Sequence, residues 1–302
     1  MKKNYLIFIF FLIGIFIWSE IYLPKNFQSG EEKLFSVEKG QSLFQISQYL
    51  EKEGLIKNKF FFNLYVILKG SQKKLQAGEY FLKPSESIAK IAKKIISGDT
   101  TKIIVTIPEG FTLKQIEERL GLKLPGENLE GFLFPDTYYL PVDVTPEKVV
   151  EIMTTNFDKK MAPFKEEIEG QGKTIFEIVI MASLLEKEVK TFEDKELVSG
   201  ILWKRLKNNI PLQVDATISY ITGKQTTRIS REETQIDSPY NTYKYLGLPI
   251  GPICNPGIDS IKAAIYPKNS QYWYYLSTSE GKTIFSETLE EHNLAKAKYL
   301  SR

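Results

Sequence analysis

Glu186 and Glu188 flank Lys187 at the end of an apolar run that fills residues 175–185. Carboxylates are candidates for acid–base chemistry, and their surroundings decide which can do it. Read as a helix at about 100° per residue, Glu186 lies within roughly 20° of Ile175 and Val179 and about 40° from Ala182. A carboxylate that continues an apolar stripe is poorly solvated, and poor solvation lets it hold a proton near neutral pH and donate it. Glu188 lines up instead with Glu177, Met181 and Leu184, so the two acids have different surroundings and only Glu186 is expected to be a general acid. The plainer alternative is a boundary residue that swings into water.

The elements expected to place this helix end are α+β. Helices are expected over residues 149–157, 176–190, 197–207, 216–220, 258–265 and 289–299, with a hairpin of strands 272–276 and 282–285 around Ser279, Glu280 and Gly281. Upstream, residues 37–50 match residues 107–120. Each has a strand end, a turn glycine (Gly40, Gly110), a Ser or Thr cap (Ser42, Thr112) and then apolar residues at helical spacing. A weaker third copy runs from Ser87 through Ile88, Ile91 and Ile95. Strands at 76–82 and 102–107 complete a small α+β module.

Composition removes several chemistries. The chain has one Cys and one His, so Cys254 forms no internal disulfide and a Cys/His zinc site cannot be assembled. His292 falls in a terminal helix and is expected to face solvent, which leaves no His for a Ser- or Cys-nucleophile mechanism. The net charge of +3 is too small to argue for nucleic acid. Two Gly-Lys-Thr triplets, at residues 172–174 and 281–283, resemble phosphate loops, but Glu167 and Leu276 stand where such a loop needs its first Gly. Carboxylates, hydroxyls, Lys and backbone groups remain, and neither metal nor organic cofactor is expected.

Lys2 and Lys3 precede fourteen uncharged, mostly apolar residues, 5–18; after Ser19 and Glu20, Ile21 to Leu23 resume the pattern. As a helix, residues 5–23 would span about 28 Å, close to the hydrocarbon thickness of a bilayer. Trp18 and Tyr22 suit the far interface and the lysines the cytoplasmic side. A cleaved signal peptide is the rival, but no small-x-small site follows. The expectation is an uncleaved single-pass anchor in the cytoplasmic (inner) membrane, with the remainder of the chain exported.

Residues 37–50 resemble a LysM module, a resemblance that covers about twenty-five residues and implies binding of glycans containing N-acetylglucosamine, or simply a packing unit. From residue 129 onward five motifs occur in order: residues 129–138 around Glu130 and Thr137, residues 182–188 around Glu186, residues 212–217 around Gln213 and Asp215, residues 238–243 with Asn241 and Tyr243, and residues 247–257 with Asn255. Together they resemble the endolytic murein transglycosylase family, also called YceG-like, over essentially the whole chain. The resemblance implies an enzyme that cuts nascent peptidoglycan glycan strands internally between N-acetylmuramic acid and N-acetylglucosamine and leaves 1,6-anhydro-muramyl ends. It implies Glu186 as the catalytic carboxyl, acid first and base second, and peptidoglycan synthases as a partner class. Glu130, Thr137, Gln213, Asp215, Asn241, Tyr243 and Asn255 become candidate substrate contacts. Turn or helix-start chemistry is the alternative for Asp215, Asn241, Tyr243 and Asn255, and turn capping for Glu130. Val189 after Glu188 and Ala216 after Asp215 depart from the family's usual Thr and Pro. The expected organisation is an anchor at 1–25, a LysM-like module at 26–106 and a YceG-like catalytic domain at 107–302.

Two other functions fit the same residues. A non-catalytic peptidoglycan-binding scaffold of the elongation machinery would bind glycan without turnover. A hydrolase would let water attack, leaving reducing ends.

Overall fold

A computed structural model describes residues 2–26, 31–142, 144–224, 229–278 and 280–299. The chain divides into two units, Met1–Ile104 with Tyr139–Val144, and Val105–Tyr138 with Thr145–Arg302.

The first unit opens with α1 (Lys2–Tyr22). Its apolar side chains from Ile7 to Ile13, with Phe16 and Trp18, are exposed. Over the described residues, however, no helix is long and apolar enough to cross a membrane, so the crossing stands as an expectation. There follow β1 (Lys33–Val37), α2 (Leu43–Lys52), α3 (Lys59–Leu68), β2 (Gly78–Leu82), α4 (Ile88–Ser97) and β3 (Lys102–Thr106). β1 and β2 are antiparallel, from Lys33 opposite Leu82 to Val37 opposite Gly78. Alternation turns Phe35, Val37, Tyr80 and Leu82 inward against Ile46, Leu50, Phe62, Val66, Ile91 and Ile95. The strand expected from Gln76 starts only at Gly78, because Gln76 bonds to the end of α4 through Ile95 O and Ile96 O.

Repeated caps explain the repeated helices. Ser42 accepts from Gln45 N and closes a capping box; Ser87 accepts from Lys90 N. The same box, made by Thr112 and Gln115, starts α5 (Leu113–Leu120) in the second unit. β4 (Thr137–Pro141) pairs with β3.

The second unit continues through α6 (Pro146–Met161), α7 (Lys165–Gly170), α8 (Ile175–Glu188), α9 (Phe192–Lys207), α10 (Asp215–Thr222), α11 (Ile258–Ile265), β5 (Tyr274–Ser277), β6 (Thr283–Ser286) and α12 (Leu289–Tyr299). The mixed α+β class expected from the sequence holds. α8 is buried on every side from Ile178 to Leu185, as a helix apolar all round must be. Each such Ile or Leu contributes about 1.5–3 kcal/mol by leaving water. α11 packs on both α8 and α9. The first Gly-Lys-Thr triplet proves to be a helix start: Thr174 caps α8 and forms a box with Glu177. α8 stops at Glu188 because Val189 is extended (φ −140°, ψ 152°). β5 and β6 form the expected hairpin, with Tyr274 opposite Ser286; Ser279 at its tip lies outside the described residues.

His292 corrects an expectation. It does not face solvent: it is 8% exposed, and its ring stacks on Tyr274 with centroids 5.2 Å apart. Burial lowers its pKa to about 4. The hairpin covers a helix face that the sequence leaves looking polar.

Candidate active site

Glu186 ends the buried part of α8 with 10% of its side chain exposed, and the facing Lys195 of α9 keeps 6%. The Lys195 ammonium lies 3.3 and 3.4 Å from the two carboxylate oxygens. At the start of α11, the Gly257 N–H donates to Glu186 Oε2 at 3.0 Å and the Ser260 hydroxyl donates to the same oxygen at 2.6 Å. Three charge-assisted contacts therefore converge on this carboxylate, two of them from a helix N-terminus, where the peptide dipoles favour negative charge.

The loop that brings Gly257 here is anchored by α8 itself. Ser183, wholly buried, donates to Ile180 O and accepts from Ile253 N; the Cys254 thiol donates to Ser183 O. Asn255 then ties the loop to the turn before α5. Its N–H and side-chain amide both donate to Phe111 O, and its carbonyl accepts from Gly110 N. Its Oδ1 accepts from Leu133 N. Two glycines permit the close packing. A Cβ on Gly257 would fall 2.0 Å from Glu109 Oε1, and one on Gly110 (φ +76°) would sit 3.4 Å from Glu186 Cγ.

Glu130 joins the same network. It accepts from Leu113 N at 3.0 Å, from the Asn255 amide at 3.1 Å and from the Tyr220 hydroxyl at 3.4 Å. Burial pushes its pKa up to about 7. It thus caps α5 and holds Asn255, which in turn holds the Gly257 loop.

Glu188 stands two residues on, about 200° around the helix, in a different setting. It accepts from Ala216 N at 3.1 Å and from the Tyr275 hydroxyl at 3.2 Å. Burial, with Asp215 adding, pushes it up to about 7. The two acids differ in their surroundings, as expected, but the helix pattern alone does not show how far Glu188 is enclosed: the polar N-terminus of α10 and the β5 strand close over it. Nearby, the Tyr243 hydroxyl donates to Asp215. Buried Arg205 donates to Leu212 O at 2.7 Å and to Gln213 Oε1 at 3.4 Å.

The candidate contacts thus separate. Glu130 and Asn255 belong to the network around Glu186. Gln213, Asp215 and Tyr243 gather on the Glu188 side. Asn241, 1% exposed, has its amide on Thr234 O and Ile236 O and its Oδ1 on Tyr243 N, so it stitches its own loop. The Thr137 hydroxyl bonds to Thr106 on the neighbouring strand. Sequence reasoning missed Ser183, Lys195, Gly257, Ser260 and Glu109. A turn was legible at Asn255 to Gly257, but its partner was not. Among the described residues, no group of three or more His, Cys, Asp or Glu is placed to hold a metal ion.

Comparison with known proteins agrees with this architecture. A Bacillus subtilis protein named endolytic murein transglycosylase is 32% identical over 95% of this chain and 91% of its own. A Streptococcus pneumoniae protein of the same name is 30% identical over 92% of this chain, which spans 60% of that longer relative. The crystal structure of a YceG-like protein from Listeria monocytogenes is 33% identical, with a TM-score of 0.60 over 88% of this chain and 99% of that one. The profile of the YceG-like family matches residues 35–298, and the chain belongs to that family.

Proposed function

We propose that the protein is a lytic transglycosylase that cuts nascent peptidoglycan strands internally, between N-acetylmuramic acid and N-acetylglucosamine, with Glu186 as the catalytic carboxyl. One observation carries the reading: a nearly buried carboxyl at the end of the central helix, met by an ammonium, a backbone N–H and a hydroxyl. The names of the curated relatives supply the substrate class.

The chemistry follows from those contacts. Protonated Glu186 gives its proton to the glycosidic oxygen as the bond to the muramyl C1 breaks. Lys195, Gly257 N–H and Ser260 stabilise the charge that develops on the carboxylate, where preorganised donors act most strongly. The muramyl C6 hydroxyl attacks C1, and its proton passes to Glu186, which returns to its starting form. Atoms balance without water, and the product end is a 1,6-anhydro sugar. Two separate carboxylates, as in ordinary glycosidases, are not required.

The anchoring part of the proposal rests on α1, whose exposed apolar side chains suit a single pass through the cytoplasmic membrane with the second unit outside. The test of the activity is product analysis by mass spectrometry on uncrosslinked glycan. Glu186→Gln is expected to lower the yield of anhydro ends by about 10²–10⁴-fold. Undiminished anhydro ends from the variant remove Glu186 from the mechanism, and reducing ends from the wild type assign the attack to water.

A further inference from the structure

The turn before α5 carries a carboxylate that the mechanism above leaves unused. Glu109 is exposed, whereas Glu186 is nearly buried. The Glu109 carboxylate lies against Gly257, with Oε1 2.0 Å and Oε2 2.6 Å from where a Gly257 Cβ would stand. The N–H of that same glycine donates to Glu186 Oε2. The two carboxylates therefore flank one residue. Gly110 fixes the arrangement from the other side: its N–H donates to Asn255 O at 2.9 Å, and its Cα faces the Glu186 side chain.

The internal repeat shows that the turn itself does not need this acid. In residues 37–50, Lys39 stands where Glu109 stands, and nothing lies within 4 Å of a Cβ on Gly40. The second copy exchanges a positive residue for a negative one at the place where the turn meets Glu186.

Neighbouring like charges disfavour each other's ionised form. The groups facing Glu109 are Glu186 from α8, Lys195 from α9 and Asp259 from α11, with the Lys187 ammonium beside Gly110. Two ammoniums, Lys195 and Lys187, face three carboxylates, Glu186, Glu109 and Asp259, which leaves one negative charge in excess. One proton held within the cluster completes the balance. Partial desolvation where its carboxylate lies against Gly257, then the Glu186 charge, raise the Glu109 pKa, with Lys195 opposing.

We propose that Glu109 is a positioning residue for the transglycosylase reaction: its charge beside Glu186 keeps the reaction's proton within the pair until the glycosidic oxygen takes it. This rests on the reading of Glu186 given above. The test is the pH profile of anhydro-end formation by the full chain in detergent. Removing the negative charge in Glu109→Gln is expected to move the alkaline limb down by about one pH unit. Glu109→Asp keeps the charge and is expected to leave the limb at its wild-type position. Raising salt from 50 mM to 500 mM screens an exposed charge and is expected to move the wild-type limb in the same direction as Glu109→Gln; this arm requires no variant to fold. A purely structural role lowers the rate of both variants and leaves the limb fixed, which overturns the proposal, as does a wild-type limb insensitive to salt. A wild type that forms no anhydro ends sinks the function itself, whereas normal wild-type products with an unmoved limb sink only Glu109.

Discussion

The two strand–turn–helix copies share a local plan and differ in what their turns touch. In the first, Gly40 (φ +89°) and Lys39 are exposed. In the second, Gly110 (φ +76°) is buried against Glu186, and Glu109 reaches Gly257. Both copies have a Ser/Thr–Gln capping box and one wholly buried Ile, Ile46 or Ile116. The shared residues therefore make the motif fold, and the differing ones connect the second copy to a carboxylate site. Folding and function fall on different positions of one pattern, so substitutions at matched positions can separate them.

The largest effect is expected outside the repeat, at the ion pair the second turn covers. Lys195→Met leaves Glu186 nearly buried with only the Gly257 N–H and the Ser260 hydroxyl. Removing one partner of such a pair costs about 3–5 kcal/mol. Denaturant unfolding should show a loss of this size, together with a fall in anhydro-end formation. A Lys195→Met protein as stable and active as the wild type would mean that the second turn covers nothing of consequence, and the contrast between the copies would lose its meaning.

Matched glycine substitutions test the contrast directly. Both turns hold their glycine at positive φ, so Ala in either place carries strain of about 1–2 kcal/mol. Only at Gly110 does the new methyl also meet a functional side chain, 3.4 Å from Glu186 Cγ and 3.6 Å from Lys187 Nζ; at Gly40 it meets nothing within 4 Å. The expected outcome is similar thermal destabilisation of the two variants, with activity lowered by about tenfold, equivalent to 1.4 kcal/mol in the barrier, only in Gly110→Ala. Equal activity of the two variants would deny the second turn any special role.

Much of this was legible from residue patterns, because caps and periodicity are local. α11 and α12 occupy the expected residues 258–265 and 289–299. α9 begins at Phe192, five residues before its expected start, because Thr191 caps a first turn too polar to carry an apolar stripe. The low exposure of Glu186 was readable from the helix, since eight consecutive buried residues precede it. Lys195 was not readable: a Lys in an acidic first turn looks like a solvated one until α8 packs against it. At Asn241 the sequence left a sugar contact and turn chemistry both open, and the side-chain amide is taken up by the chain's own carbonyls at Thr234 and Ile236. Long-range pairing, such as Asn255 to Phe111 and Leu133, leaves no spacing signal in the sequence.

The smallest expected effect concerns what the copies share. Ser42 and Thr112 each accept from the amide of the Gln three residues on, and each Gln side chain accepts in return from the cap backbone, at 2.9 Å in both copies. Replacing either hydroxyl with Ala removes one partner of the box and is expected to cost about 1 kcal/mol. The two losses should match and should add in the double variant, since the sites share no hydrogen-bond partner. Activity at a temperature where both variants remain folded should be unchanged for Ser42→Ala. For Thr112→Ala it should fall slightly, because Glu130 still holds the first α5 amide at Leu113 and keeps Asn255 in place. A large loss of activity in Thr112→Ala without matching destabilisation would place the cap, and not only the turn, among the residues that position Glu186.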